Sequence, residues 1–170
     1  MEFEHIRIDD DVIDRRIFID VLDPAWRTVD IYGGKIEYDK SLLAFTNEQR
    51  FLVAITWYIS EVNNGGHEQF YYNSTGIVWK DALAGFQEIG LDEAVSILDE
   101  SAKRMGGNPS FDRETRWEQM DIHHPNFDDL DDRFYDLEEK TNLEERMQDY
   151  IMNHRSAFYY EGEVEKSDFS

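Results

Sequence analysis

The chain contains no cysteine in 170 residues, which removes disulfides, thiol nucleophiles and thiolate metal sites in one step. Cations are the next shortage: 17 Lys and Arg stand against 38 Asp and Glu, giving a net charge of −21 at pH 7. Binding a nucleic acid requires clustered Lys and Arg to neutralise phosphates, so direct nucleic-acid binding is disfavoured. Attachment to an anionic membrane surface is disfavoured for the same reason. No apolar run approaches the length of a membrane span. Met1-Glu2-Phe3-Glu4-His5 has neither the basic nor the apolar region of a signal peptide, so a cytoplasmic location is expected. The Asn73-Ser74-Thr75 sequon then reads as turn chemistry.

Catalytic motifs are missing too. There is no G-x-S-x-G elbow, no P-loop and no G-x-G-x-x-G. His67-Glu68 continues as Gln69-Phe70-Tyr71, so the H-E-x-x-H zinc motif is absent, and the paired E-x-x-H motifs of di-iron bundles are absent as well. Asp9-Asp10-Asp11 and Asp128 to Asp132 lack the alternating ligands and central glycine of a calcium loop. His123-His124 with Asp121 nearby is the remaining zinc or iron candidate, and surface or turn histidines are the favoured reading there. Neither an enzyme nor a cofactor nor a bound metal is expected.

What is present is a helical pattern. Hydrophobic residues make up 41% and aromatics 14%, enough for one good core despite a mean hydropathy of −0.67. A monomer of this mass exposes roughly 9,000 Å², and the expectation is a single all-α domain over residues 1–170. The organising stretch is 46–76. Thr46 followed three residues later by Gln49 is a capping box. Phe51, Leu52, Ile55, Tyr58, Ile59 and Val62 then recur at helical spacing. Asn63-Asn64-Gly65-Gly66 supplies residues that accept positive φ, so the central helix is expected to stop there at a Gly-Gly hinge. An aromatic turn over residues 67–72 is expected to fold back on it. Asn63, Asn64, Gln69 and Asn73 are read as amides that bond the turn backbone, in preference to lining a pocket with Tyr71 and Tyr72.

Elsewhere, Val12, Ile13, Ile17, Val21 and Leu22 share one helix face, while residues 16–21 equally fit a short strand. Asp23-Pro24 reads as an N-cap and first-turn proline opening a helix that runs to Gly33-Gly34. Further helices are predicted over 78–89, closed by Gly90, over 92–105, and briefly over 112–120. Residues 1–10 and 161–170 are expected to be loose tails. His154 falls on the apolar face of the last helix and reads as a core histidine.

The final third carries the charge. Phe127, Leu130, Phe134 and Leu137 lie at helical spacing, separated by Asp128, Asp129, Asp131, Asp132, Asp136, Glu138 and Glu139. A last helix puts Leu143, Met147, Tyr150 and Ile151 inward and Glu144, Glu145 and Asp149 outward. Carboxylates at i, i+3 and i+4 sit roughly 5–6 Å apart, and like charges at i, i+4 cost a few tenths of a kcal/mol per pair. Asp128/Asp132 and Asp132/Asp136 are two such pairs. Solubility alone needs much less charge, although charge beside an apolar stripe is most often a solvated helix face.

Residues 61–76 also carry a family signature: Glu61-Val62-Asn63-Asn64-Gly65-Gly66, then Gln69, the aromatics Phe70 and Tyr71, and Asn73. This resembles a bacterial domain family that includes a DNA-mimic protein. His67 stands where that family usually has Phe. The resemblance covers best the region from Asp23 to Gly106. It implies a mostly helical fold and binding to a DNA-binding regulator, of helix-turn-helix type, in place of its operator. In that reading the acidic residues of the last two helices stand in for phosphates, Asp9, Asp10, Asp11 and Asp14 extend the track, and a symmetric dimer lengthens it. Two alternatives stand beside it: an immunity-type protein that neutralises a basic toxin such as a nuclease, and a carboxylate-rich metal-dependent enzyme.

Overall fold

The capping box at Thr46 is formed in both directions. The Thr46 hydroxyl accepts from the Gln49 amide at 3.2 Å, and the Gln49 side chain accepts from the Thr46 amide at 2.9 Å. A computed structural model describes residues 2–166. In chain order the elements are β1 (Phe3–Ile8), α1 (Asp10–Asp14), α2 (Phe18–Thr28), α3 (Lys35–Ser41), α4 (Asn47–Tyr72), a 3-10 turn (Ser74–Val78), α5 (Trp79–Ile89), α6 (Asp92–Arg104), α7 (Arg113–His123), α8 (Asp128–Lys140), α9 (Leu143–Asn153), α10 (Arg155–Phe158) and β2 (Tyr160–Glu165). The chain is an all-α bundle closed by one small sheet.

Helix α4 is the axis of that bundle, in contact with α2, α5, α7, α8, α10 and the 3-10 turn. Its Leu52, Ile55, Tyr58 and Val62 are fully buried, as their spacing predicts. Tyr58 is the centre of the core: Phe70, Phe86 and Phe134 meet its ring edge-on at 5.1, 5.5 and 5.4 Å. Such contacts are worth about 0.5–1.5 kcal/mol each beyond simple burial. They join α4, α5 and α8 at one point. Helix α5 closes at Gly90, whose φ of 75° is left-handed, and α6 ends with Lys103 and Arg104 at its negative terminus.

The glycine hinge bends α4 where the sequence predicts a stop. Gly66 takes φ 71°, ψ −173°, and residues 67–72 then resume a helical path in place of the expected turn. The amides of Gln69 and Asn73 bond a side chain, described below, which leaves the backbone free to make helical bonds such as Asn73 N–H to Gln69 O.

Three further expectations are corrected. Residues 16–21 contain no strand, and α2 starts at Phe18, so Pro24 is its seventh residue and not its first-turn residue. Burial of Val21, Leu22 and Ala25 along one face outweighs the backbone bond that proline forgoes, and Asp23 pairs with Arg27 instead of capping. Helix α3 has no counterpart among the predicted helices. The ends of the described chain are not loose: β1 and β2 pair antiparallel, Phe3 opposite Glu165 through Ile8 opposite Tyr160. Ile8 and Val164 are buried beneath the ladder, and Arg27 reaches across from α2 to Glu4 and to the carbonyl of Glu165. Residues 167–170 of the expected tail lie outside the described residues.

Candidate functional site

Helices α8 and α9 present the acidic face because their apolar stripes are consumed by the core. Leu130 and Phe134 of α8, and Leu143, Met147, Tyr150 and Ile151 of α9, are buried. Asp128, Asp129 and Asp131 occupy the first turn of α8, and Glu144 and Glu145 that of α9, where the helix dipole favours negative charge. Asn142 caps α9 by accepting from the Glu145 amide at 3.0 Å. Residues 128–149 hold ten acidic against three basic side chains.

The structure divides those ten. Asp129 takes both terminal nitrogens of Arg104 on α6, at 2.5 and 2.9 Å. Asp149 pairs with Arg16 at 2.8 Å, and Asp136 lies 3.9 Å from Lys140. Glu138 accepts from the Asn63 amide at 3.0 Å. Asp131 turns inward to His67 and leaves the exposed face. Asp128, Asp132, Glu139, Glu144 and Glu145 are exposed, and among the described residues none has a cationic side chain within 4.0 Å. The two arginines of this segment look elsewhere: Arg133 pairs with Glu93 of α6, and Arg146 donates to the carbonyl of Ile89.

The Arg104 guanidinium holds the Asp129 carboxyl below the usual carboxylate range. A depressed carboxylate stabilises the fold above its unfolded pKa, near 4, and that contribution is lost as pH falls through the lowered value. Arg104→Gln is therefore expected to flatten the acid-side loss of stability, read as urea midpoints between about pH 2 and 5. An unchanged slope would remove the pair from the acid response.

The hinge holds this face in place. Glu61 is its organiser, accepting from Gln69 at 2.6 Å, Asn73 at 3.1 Å and Thr75 at 2.9 Å. The amides expected to bond turn backbone thus bond carboxylates, Glu61 for Gln69 and Asn73, and Glu138 for Asn63. Phe70 and Tyr71 are fully buried, Tyr71 bonding Ser101 at 2.7 Å, while Tyr72 stacks on Trp117. Asn64 is exposed beside a shallow polar hollow with Glu61 and Asn63.

His67 is also fully buried. Its backbone N–H donates to Asp131 Oδ1 at 2.9 Å, its ring Nδ1 meets the same oxygen at 2.5 Å, and Nε2 lies 2.6 Å from the Tyr58 hydroxyl. Every group is satisfied when Nδ1–H donates to the carboxylate and the hydroxyl donates to Nε2. Burial pushes the Tyr58 phenol well up, which keeps it a donor. Asp131 therefore latches the acidic helix α8 onto the hinge.

Arg116 of α7 carries no signal in the sequence that singles it out. It is 0% exposed, and among the described residues it bonds carbonyls and no carboxylate. Its guanidinium donates to the carbonyls of Tyr71, Asn73, Ser110 and Phe111 at 2.9, 2.6, 2.9 and 3.1 Å. It fastens the second limb of α4 to the loop before α7. Burial pushes it down to about 10, so it is a cation at neutral pH.

The remaining candidates are dispersed. Asp9 caps α1, and Asp10 and Asp14 both bind Arg155, so the expected extension of the acidic track is largely used internally. His123 packs against Gly106. Among the described residues no group of three or more His, Asp or Glu could hold a metal ion. His154 is exposed at the end of α9, stacked on Tyr150 at 4.1 Å, and is not a core residue.

An acidic helical domain with a glycine-kinked central helix, carrying unpaired carboxylates on two adjacent helices, is the class that fold and site define. The chain belongs to the family described as DMP19-like protein, which matches residues 43–154. That span contains the hinge; against the expected region from Asp23 to Gly106 it leaves out residues 23–42 and runs on through α8 and α9. No curated protein and no solved structure gives a match to the chain. Among the described residues no helix is long and apolar enough to cross a membrane.

Proposed function

We propose that this protein is a non-enzymatic DNA mimic whose α8–α9 face occupies the DNA-binding surface of a bacterial regulator of helix-turn-helix type. The observation that carries the reading is the set of exposed carboxylates, Asp128, Asp132, Glu139, Glu144 and Glu145, left without cations on helices fixed by buried contacts. Duplex DNA presents a charge about every 1.7 Å of axis; Asp128 and Asp132, at i, i+4 and so roughly 5–6 Å apart, together with the exposed Glu139, Glu144 and Glu145, give a basic protein a negative counter-surface. The long-range field of a −21 chain also speeds encounter with a basic partner, in a salt-dependent way. The family membership is compatible with this role. The proposal includes a symmetric dimer; sedimentation showing monomer alone removes that part.

The test is capture from lysate of the source cells on the immobilised protein, with elution by salt and by duplex DNA. A retained DNA-binding protein that its own duplex displaces is the expected result. Retention of a nuclease toxin moves the reading to immunity, and no basic protein retained at low salt overturns it. Neutralising Asp132, Glu139, Glu144 and Glu145 together to Asn and Gln is expected to weaken that complex about 10- to 100-fold at low salt. An unaltered affinity would place the contact elsewhere.

A further inference from the structure

The acidic face borders a groove of about 600 Å³ between α4, the start of α2 and the α8–α9 connection. Its walls are partly apolar: Phe18, Ile59, Leu143 and Met147 line it. Phe18 and Ile59 are half-buried, while Leu143 and Met147 show only their edges. Its rim is acidic, with Glu138, Glu139 and Glu144 among the lining residues. The C-terminal end of α8, at Lys140 and Thr141, also lines it, which sets the negative end of a helix dipole beside the groove. Among the described residues Lys140 is the lone cation on the rim, and its 3.9 Å approach to Asp136 is loose.

We infer that this groove receives one apolar side chain, of Leu or Met size, from a helical segment of the partner whose flanking residues are Lys and Arg. The inference rests on the acidic-face reading and adds its chemistry. Charge complementarity selects the occupant: three glutamates beside a partly apolar wall favour a segment that is apolar at one point and basic on either side. A basic helix that docks on DNA has the required charge. The apolar contact gives the complex a component that salt does not screen, since burying such a side chain strengthens binding about tenfold or more while ion pairs weaken with ionic strength. It also lets the protein discriminate among basic partners, which a field of carboxylates alone does poorly.

The test uses two labelled helical peptides of roughly 18 residues, rich in Lys, Arg and Ala and identical except for a central Leu or Ser. Fluorescence anisotropy against the full chain is expected to give about tenfold tighter binding of the Leu peptide. That gap persists from about 50 to 200 mM salt while both affinities fall. Ser60 is an exposed residue lining the groove. Ser60→Trp fills the space without changing charge, and is expected to abolish the gap while leaving the Ser peptide's affinity unchanged. Lys140→Ala is expected to tighten both peptides. Equal binding of the two peptides to the wild type, or a gap that survives Ser60→Trp, overturns the groove. In either case salt-sensitive binding weakened by Glu139→Gln and Glu144→Gln leaves the acidic-face reading standing. If neither peptide binds at low salt, both readings fall. If sedimentation finds a dimer that Ser60→Trp dissociates, the groove belongs to a second copy and the inference is overturned.

Discussion

Replacing Gly66 with alanine is expected to lower the unfolding free energy by about 3–5 kcal/mol, among the largest effects available to a single methyl group. Two causes add. Gly66 sits at φ 71°, ψ −173°, a region where an L side chain is strained by about 1–3 kcal/mol. A Cβ there also falls 2.2 Å from Asp131 Oδ2, so the carboxylate must leave the position from which it accepts two bonds from His67. Bonds to a charged group of this kind are worth about 1.5–3 kcal/mol. Gly34 provides the control, because it has φ 86° and ψ 178° and an added Cβ would meet nothing within 4 Å. Gly34→Ala isolates the backbone strain, at about 1–3 kcal/mol. Urea unfolding of both variants separates the terms. Equal losses would mean that the Asp131–His67 latch contributes nothing to stability.

The helices are legible wherever one residue type is tied to one geometry. Thr46 with Gln49 marks the start of α4, Gly90 the end of α5, and the spacing of Leu52, Ile55, Tyr58 and Val62 the buried face. The failures are equally local. In β1 and β2 the inward positions, Ile6, Ile8, Tyr160 and Val164, alternate with charged neighbours, and a short acidic strand at a chain end looks like a tail until its partner 158 residues away is known. Pro24 misleads because a first-turn preference is a weak rule beside the burial of Val21, Leu22 and Ala25. Gly65-Gly66 announces a break, but whether a helix stops or bends depends on what binds the next turn, and that is set by Glu61, Gln69 and Asn73 in three dimensions.

The candidate site shows the same division. That α8 and α9 expose carboxylates follows from their apolar stripes, and the stripes are in the sequence. Which carboxylates are left without cations is not, because Arg104, Arg16 and Arg133 choose their partners across the fold. Asp129, Asp131 and Asp149 share helices α8 and α9 with Asp128, Asp132 and Glu145, yet they serve the fold by pairing with Arg104, His67 and Arg16. The histidine at position 67 illustrates the limit best: a polar residue at an apolar position signals something, but its meaning requires Tyr58 and Asp131 together.

Arg116→Met is expected to be the most damaging of these substitutions, at about 4–6 kcal/mol. Methionine fits the volume of the aliphatic stem, so the loss is polar. Four carbonyls, those of Tyr71, Asn73, Ser110 and Phe111, lose this donor; the Asn73 carbonyl keeps the Gly76 amide at 3.2 Å, and each buried acceptor left orphaned costs about 1–3 kcal/mol before relaxation and entering water recover part of it. No nearby side chain can substitute, because the site is built for a planar fork: Gly76 is bare where a Cβ would lie 2.7 Å from Arg116 Nε and 2.8 Å from the Phe70 carbonyl. Arg116→Lys keeps the charge but cannot direct donors at four carbonyls from one ammonium, and an intermediate loss of about 2–4 kcal/mol is expected. Against a total stability of about 5–15 kcal/mol for a domain, the methionine variant approaches the unfolding threshold at physiological temperature. Burial lowers the guanidinium to about 10, so below that value both folded and unfolded chains bind the proton and the effect is independent of pH. Above it the unfolded chain holds more protons, and the linkage raises wild-type stability with pH. Urea midpoints at neutral pH decide the matter: a methionine variant within about 1 kcal/mol of wild type would show that the carbonyls find water as readily as they found the arginine.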